Sequence, residues 1–206
     1  MSLYPYNTNV AQYAQSDIAG KLTNLMKVVG YSAGALAVSD DDRFVTVVNM
    51  KVGAYTVAVT AMPEATVARK LLITITQVGG ANDTMGTLDI VGTDLAGVAL
   101  TETIAPTANS TKTTVNAFLT VTSITGAGWV RDAAPGSEDT IKIGTSEAFG
   151  LPDKLSTTAQ VLFASFNAVK ESTAPTVTVD SSVLAKNTVD ISTTLNGSAV
   201  SVYYMV

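Results

Sequence analysis

The stretch TLDIVGTDLAGVALTETI, residues 87–104, decides the fold. Its two ends, 87–91 and 98–104, alternate with a period of two, the pattern of strands with one face buried. Between them Gly92-Thr93-Asp94-Leu95-Ala96-Gly97 supplies turn residues, and Gly97 is free to take a positive φ. The stretch therefore predicts an antiparallel hairpin with a longer loop.

The same period extends in both directions. Upstream, Leu71, Ile73 and Ile75 alternate with Leu72, Thr74 and Thr76 before Gly79-Gly80. Earlier still, Val45, Val47 and Asn49 alternate with Thr46, Val48 and Met50, and Tyr55, Val57 and Val59 follow; Lys51-Val52-Gly53 between them reads as a tight turn or a bulge. Downstream, Phe118, Leu119, Val121 and Ile124 lie among threonines in 115–125, and 139–143, 175–180, 188–193 and 199–206 continue the series. Residues 160–169 read as a strand or a short helix. Nine or more short strands rich in Thr and Val predict an all-β protein, an antiparallel sandwich or barrel-like domain over residues 41–206.

Residues 1–40 have a different texture. Positions 1–15 are rich in Tyr, Asn and Gln and read as an extended arm. Ile18, Leu22, Leu25, Met26 and Val29 then recur at helical spacing, with Asp17 placed to cap a short helix and Gly30 to end it. The arm's tyrosines at 4, 6 and 13, with Leu22 and Leu25 on the helical face, are the candidate grip on a partner. Trp129, the sole tryptophan, reads either as an interface anchor or as a core residue.

The chain has 206 residues, no Cys, no His and a formal charge of −5. Disulfides, thiol nucleophiles, Cys/His zinc sites and His-based acid–base catalysis are excluded by composition. The negative charge, with no basic cluster, argues against nucleic-acid binding. The N-terminus lacks the pattern of a signal peptide, and no apolar run reaches the roughly 18–20 residues of a membrane span, so a soluble protein is expected. Charged residues make up 14% of the chain against 47% hydrophobic. Soluble domains carry about 25% charged residues, so neighbouring subunits or a Thr/Ser surface must cover what charge does not.

The remaining chemistry is sparse. Asp40-Asp41-Asp42 is the densest acidic run and offers oxygen ligands to a hard cation, but consecutive residues do not all point inward and the spaced D-x-D-x-D-G pattern is missing, so a solvated turn before the first strand is the better account. Glu102, in the middle of an expected strand, is either one of two hydrolase carboxylates or an outward-facing sheet residue. The glycines form neither G-x-G-x-x-G nor a Walker loop. No catalytic residue, cofactor or metal site is assigned from the sequence.

Several motifs together resemble a group of tailed-bacteriophage virion proteins encoded among head genes. They are Val91-Gly92-Thr93-Asp94-Leu95-Ala96-Gly97 with Leu100-Thr101-Glu102-Thr103-Ile104, the Ala117-Phe118 step, Asp139-Thr140-Ile141-Lys142-Ile143-Gly144, Phe149-Gly150-Leu151-Pro152, and the closing Lys186-Asn187-Thr188-Val189-Asp190-Ile191-Ser192 with Leu195-Asn196-Gly197 and Tyr203-Tyr204. Residues 1–53 lie outside that pattern. The resemblance implies a non-enzymatic structural protein of a virion, foremost a capsid decoration or cement protein. Its implied partners are copies of itself, as a trimer, and major capsid or neighbouring virion proteins. A neck or tail component is the alternative within that class; a carbohydrate-binding receptor module and a glycan hydrolase are the alternatives outside it.

Overall fold

The computed structural model describes residues 27–206 except 52, 79–82 and 132–137, together with the backbone of 13–15 and 22–24. Among the described residues sixteen strands follow one another: β1 (Tyr13–Gln15), β2 (Leu22–Asn24), β3 (Val28–Ala35), β4 (Asp40–Asn49), β5 (Tyr55–Val57), β6 (Arg69–Thr76), β7 (Thr87–Thr93), β8 (Ala99–Ile104), β9 (Thr111–Thr113), β10 (Thr120–Ala127), β11 (Thr140–Gly150), β12 (Val161–Phe166), β13 (Val169–Lys170), β14 (Thr176–Thr178), β15 (Thr188–Asp190) and β16 (Ala199–Met205). Two single 3₁₀ turns, Thr158–Gln160 and Leu184–Lys186, are the helical elements among the described residues. The strand pairs are antiparallel. The expected all-β, antiparallel class is the observed one.

The hairpin at 87–104 forms as its sequence dictates, with β7 and β8 paired from Leu88↔Ile104 to Thr93↔Ala99. Asp94 holds its loop, accepting from Ala96 N and Val98 N at 2.9 Å each, and Gly97 sits at φ +78°. This hairpin belongs to a four-stranded sheet in the order β5-β10-β7-β8. A second sheet runs β14-β15-β11-β6-β9, with β4 also on β11, and a third runs β13-β12-β16-β3.

The long strand β11 ties these layers together. One of its edges pairs with β6; the other is shared between β4, opposite residues 140–145, and β15, opposite Phe149 and Gly150. Its first half sends Ile141 and Ile143 into a core with Leu71, Ile73, Ile75, Leu88, Ile90 and Ile124. Its last residues send Phe149 into a second core with Val189, Val200, Val202 and Tyr204 beneath the third sheet. The central sheet is thus shared by two apolar cores, each closed by a different sheet. Burial of such aliphatic side chains stabilises by about 1.5–3 kcal/mol apiece.

Three expectations are corrected. No short helix occupies the N-terminal region where it is described: Leu22–Asn24 pairs with Tyr13–Gln15, and Val28–Ala35 is a strand. The β-branched Val28 and Val29 and the flanking Gly30 favour an extended chain. Val29, Tyr31 and Ala33 then place alternate side chains against the second core. For the same reason the β structure begins well before residue 40: β3 pairs with β16 along its length, and Ala33 and Leu36 are core residues. Asp17, Ile18, Leu25 and Met26 lie outside the described residues. Lys51 and Gly53 are no hairpin turn; they lie where the chain crosses from β4 in the central sheet to β5 in the four-stranded one.

Candidate functional site

The seam between the two cores holds a buried polar network centred on Arg69. Thr145 of β11 pairs with Leu71 and Phe149 pairs with Arg69, so Ser146, Glu147 and Ala148 face Lys70 alone. This bulge frees the Ser146 carbonyl from the ladder, the kind of local bend found beside functional sites. Arg69, fully buried, fills the gap: its Nε donates to Ser146 O at 3.0 Å and its Nη2 makes a second, shorter bond to the same oxygen. Its Nη1 donates to Ala37 O at 3.2 Å and to Glu64 Oε1 at 2.8 Å. Glu64 Oε1 also accepts from Ala37 N at 2.8 Å. Glu147 extends the network by accepting from Ser39 N at 3.3 Å and Leu195 N at 2.7 Å.

Above the bulge opens a cleft of about 360 Å³, at the small end of ligand pockets. Lys70, Glu147, Asp190 and Ser146 line it, with hydroxyls from Thr113, Thr176 and Thr178. Burial lowers the Lys70 ammonium pKa, against the pull of Glu102 and Asp190. Burial and then the Glu147 charge raise the Asp190 carboxyl, against Lys70 and Arg69. Ser146 Oγ is buried with no hydrogen-bond partner. The cleft therefore offers an acceptor, a donor and several hydroxyls to a polar ligand, while the Glu147 oxygens are already engaged by backbone amides.

A second feature lies on the outer face of the third sheet. Phe163 stacks on Tyr203 with ring centroids 4.5 Å apart and planes 22° from parallel, and Lys170 Nζ lies 5.0 Å from the Phe163 centroid. Val28 and Met205 share that face through their register, and Leu162, 45% exposed, sits at the bulge of β12.

The sequence-named residues fall apart in space. Trp129 is 2% exposed and packs in the first core, where its Nε1 donates to the buried Asp139 Oδ2 at 3.1 Å. It is a core residue, and the reading of Trp129 as an exposed interface anchor is corrected: a satisfied indole N–H allows its full burial. Tyr13 and Leu22 belong to the paired β1 and β2; Tyr4, Tyr6 and Leu25 lie outside the described residues. Glu102 is a loop clamp, its two oxygens accepting from Val115 N at 2.7 Å, Asn116 N at 2.9 Å and Asn116 Nδ2 at 2.8 Å. Asp40, Asp41 and Asp42 open β4 and draw their carboxylates within 4.8 Å of one another.

Sequence reasoning missed Arg69, Lys70 and Asp190 in the seam and Phe163 with Tyr203 on the outer face. Arg69 carried a readable signal, since it falls in phase with the inward-facing Leu71, Ile73 and Ile75. No family model, curated protein or solved structure matches this chain.

Proposed function

We propose that the protein is a structural component of a bacteriophage particle, a capsid decoration or cement protein that works by protein–protein packing. The observation that supports it is the outer face of the third sheet, where Phe163, Tyr203, Leu162 and Val28 are accompanied by the ammonium of Lys170. Aromatic residues with few charges are the composition of interface cores. The low charge content of the whole chain and the motif resemblance to virion proteins point the same way. In this reading the three-sheet body is a rigid block whose outer sheet docks on a copy of itself, as a trimer, or on a coat subunit.

Sedimentation of the purified protein, alone and with undecorated capsid shells, tests the reading. Self-association and saturable co-sedimentation with shells are expected. A monomer that ignores shells and is recovered with tails or necks would move it to another part of the virion; one that joins no particle would end the reading. A carbohydrate-binding module is the second reading, favoured by the hydroxyl-lined cleft of Lys70 and Asp190. Saturable binding to host surface polysaccharide, lost on changing Asp190, would support it.

A further inference from the structure

We propose that Asp40, Asp41 and Asp42 at the start of β4, with the hydroxyl of Thr145 on β11, form a calcium site. Three carboxylates whose oxygens lie within 4.8 Å of one another fit a shared ion. Calcium–oxygen distances of about 2.3–2.6 Å put opposite ligands roughly 4.6–5.2 Å apart, whereas magnesium demands an octahedron at about 2.0–2.1 Å.

The acidic run alone would be a solvated strand end. The second observation is Thr145, which is fully buried, lines the same cavity of about 260 Å³ as Asp40 and Asp41, and has an Oγ1 with no hydrogen-bond partner. A buried hydroxyl without a partner costs free energy. Thr145 is the register partner of Asp40, so the two side chains lie on one face of the sheet. Gly144 makes the approach possible: a Cβ there would stand 1.7 Å from Asp40 O, so only glycine lets β4 open this close to β11.

The surrounding charges leave room for an ion. Lys142 Nζ is 3.7 Å from Asp41 Oδ2, but both side chains are exposed and such a pair is weak. The Arg43 guanidinium is occupied by Ala61 O, through Nε at 3.3 Å and Nη2 at 3.2 Å. One oxygen from each of Asp40, Asp41 and Asp42 lies within 4.8 Å of the others, and like charges held that close repel one another. A divalent cation relieves that repulsion. Partly exposed ligands place the affinity with extracellular modules, a Kd on the order of 10⁻⁴ to 10⁻³ M.

Calorimetric titration and thermal melts of the full chain with CaCl₂ and MgCl₂ test the site. One calcium per chain is expected, with a Tm rise of about 5 °C at 10 mM CaCl₂ and little response to MgCl₂. The double variant Asp40→Asn, Asp42→Asn should lose binding yet melt higher than the parent without calcium, because the repulsion is gone. Thr145→Val should bind about tenfold more weakly. No heat and no Tm shift at 10 mM CaCl₂, an equal response to magnesium, or unchanged binding in either variant would overturn the proposal.

Discussion

Arg69 Nη1 lies 2.8 Å from Glu64 Oε1 at the seam where the two apolar cores meet, the guanidinium fully buried and the Glu64 side chain only 9% exposed. The pair exists because the bulge of β11 leaves the Ser146 carbonyl without a strand partner, and the guanidinium answers it together with Ala37 O. Desolvating the pair is costly, so its net contribution is small while both partners stand. Removing one leaves the other uncompensated.

Arg69→Ala should therefore lower stability by about 3–5 kcal/mol, read from the urea midpoint. It orphans Glu64 and two backbone carbonyls at once. The double variant Arg69→Met, Glu64→Leu should recover part of that loss, since apolar groups leave only the carbonyls unanswered. A loss under about 1 kcal/mol for Arg69→Ala, the size of an exposed pair, would show that the seam does not depend on it.

Glu102→Ala should release the turn at Val115 and Asn116, at a cost of about 1–3 kcal/mol for bonds to a charged acceptor. Amide hydrogen exchange separates this local effect from global unfolding. The Val115 and Asn116 amides, which donate to Glu102 at 2.7 and 2.9 Å, should exchange faster, while Ile73 in the core stays protected relative to them. Equal acceleration everywhere would contradict the clamp.

Asp190 gives a pH prediction with a definite sign. Burial and Glu147 hold its carboxyl above its unfolded value of about 3.9. Between the two values the folded state binds more proton, so the group's contribution to stability falls as pH rises through that window and stays lower above it. Asp190→Asn removes the penalty. The variant should melt higher than the parent at pH 7 and level with it near pH 3; a lower Tm at pH 7 would show that the attraction to Lys70 and Arg69 outweighs burial.

Period-two alternation made the strands legible. It located the 87–104 hairpin nearly to the residue, because Asp94 and Gly97 are turn chemistry with only one good conformation. It failed on the approach to β3: Leu22, Leu25 and Val29, of which Val29 alone lies in that strand, match helical spacing as well as they match any other. There the choice is made by β16, a partner about 170 residues away in sequence whose pairing no local pattern shows. The seam was hidden for a related reason. Lys70 meets the three-residue bulge of β11 only through register, and Asp190 reaches the cleft through the pairing of β15 with the end of the same strand. Arg69 alone was readable, as a charge in the inward phase of an apolar strand.

The last prediction concerns the outer face of the third sheet and rests on the proposed packing function. Phe163 and Tyr203 are stacked away from the core, so truncating Phe163 opens no cavity in the second core beneath them. Phe163→Ser and Leu162→Lys should leave the fold intact by circular dichroism and by Trp129 fluorescence, a reporter held in the other core. Central aromatic anchors of an interface are worth about 2 kcal/mol or more, roughly 30-fold in Kd. Each variant should therefore weaken self-association or shell binding by at least that order in sedimentation velocity. Val98→Lys is the control: Val98 is 61% exposed, on the hairpin loop of a different sheet, and its change should leave association untouched. If Val98→Lys weakens association while Phe163→Ser and Leu162→Lys do not, the docking surface belongs to the β7–β8 hairpin and not to the third sheet.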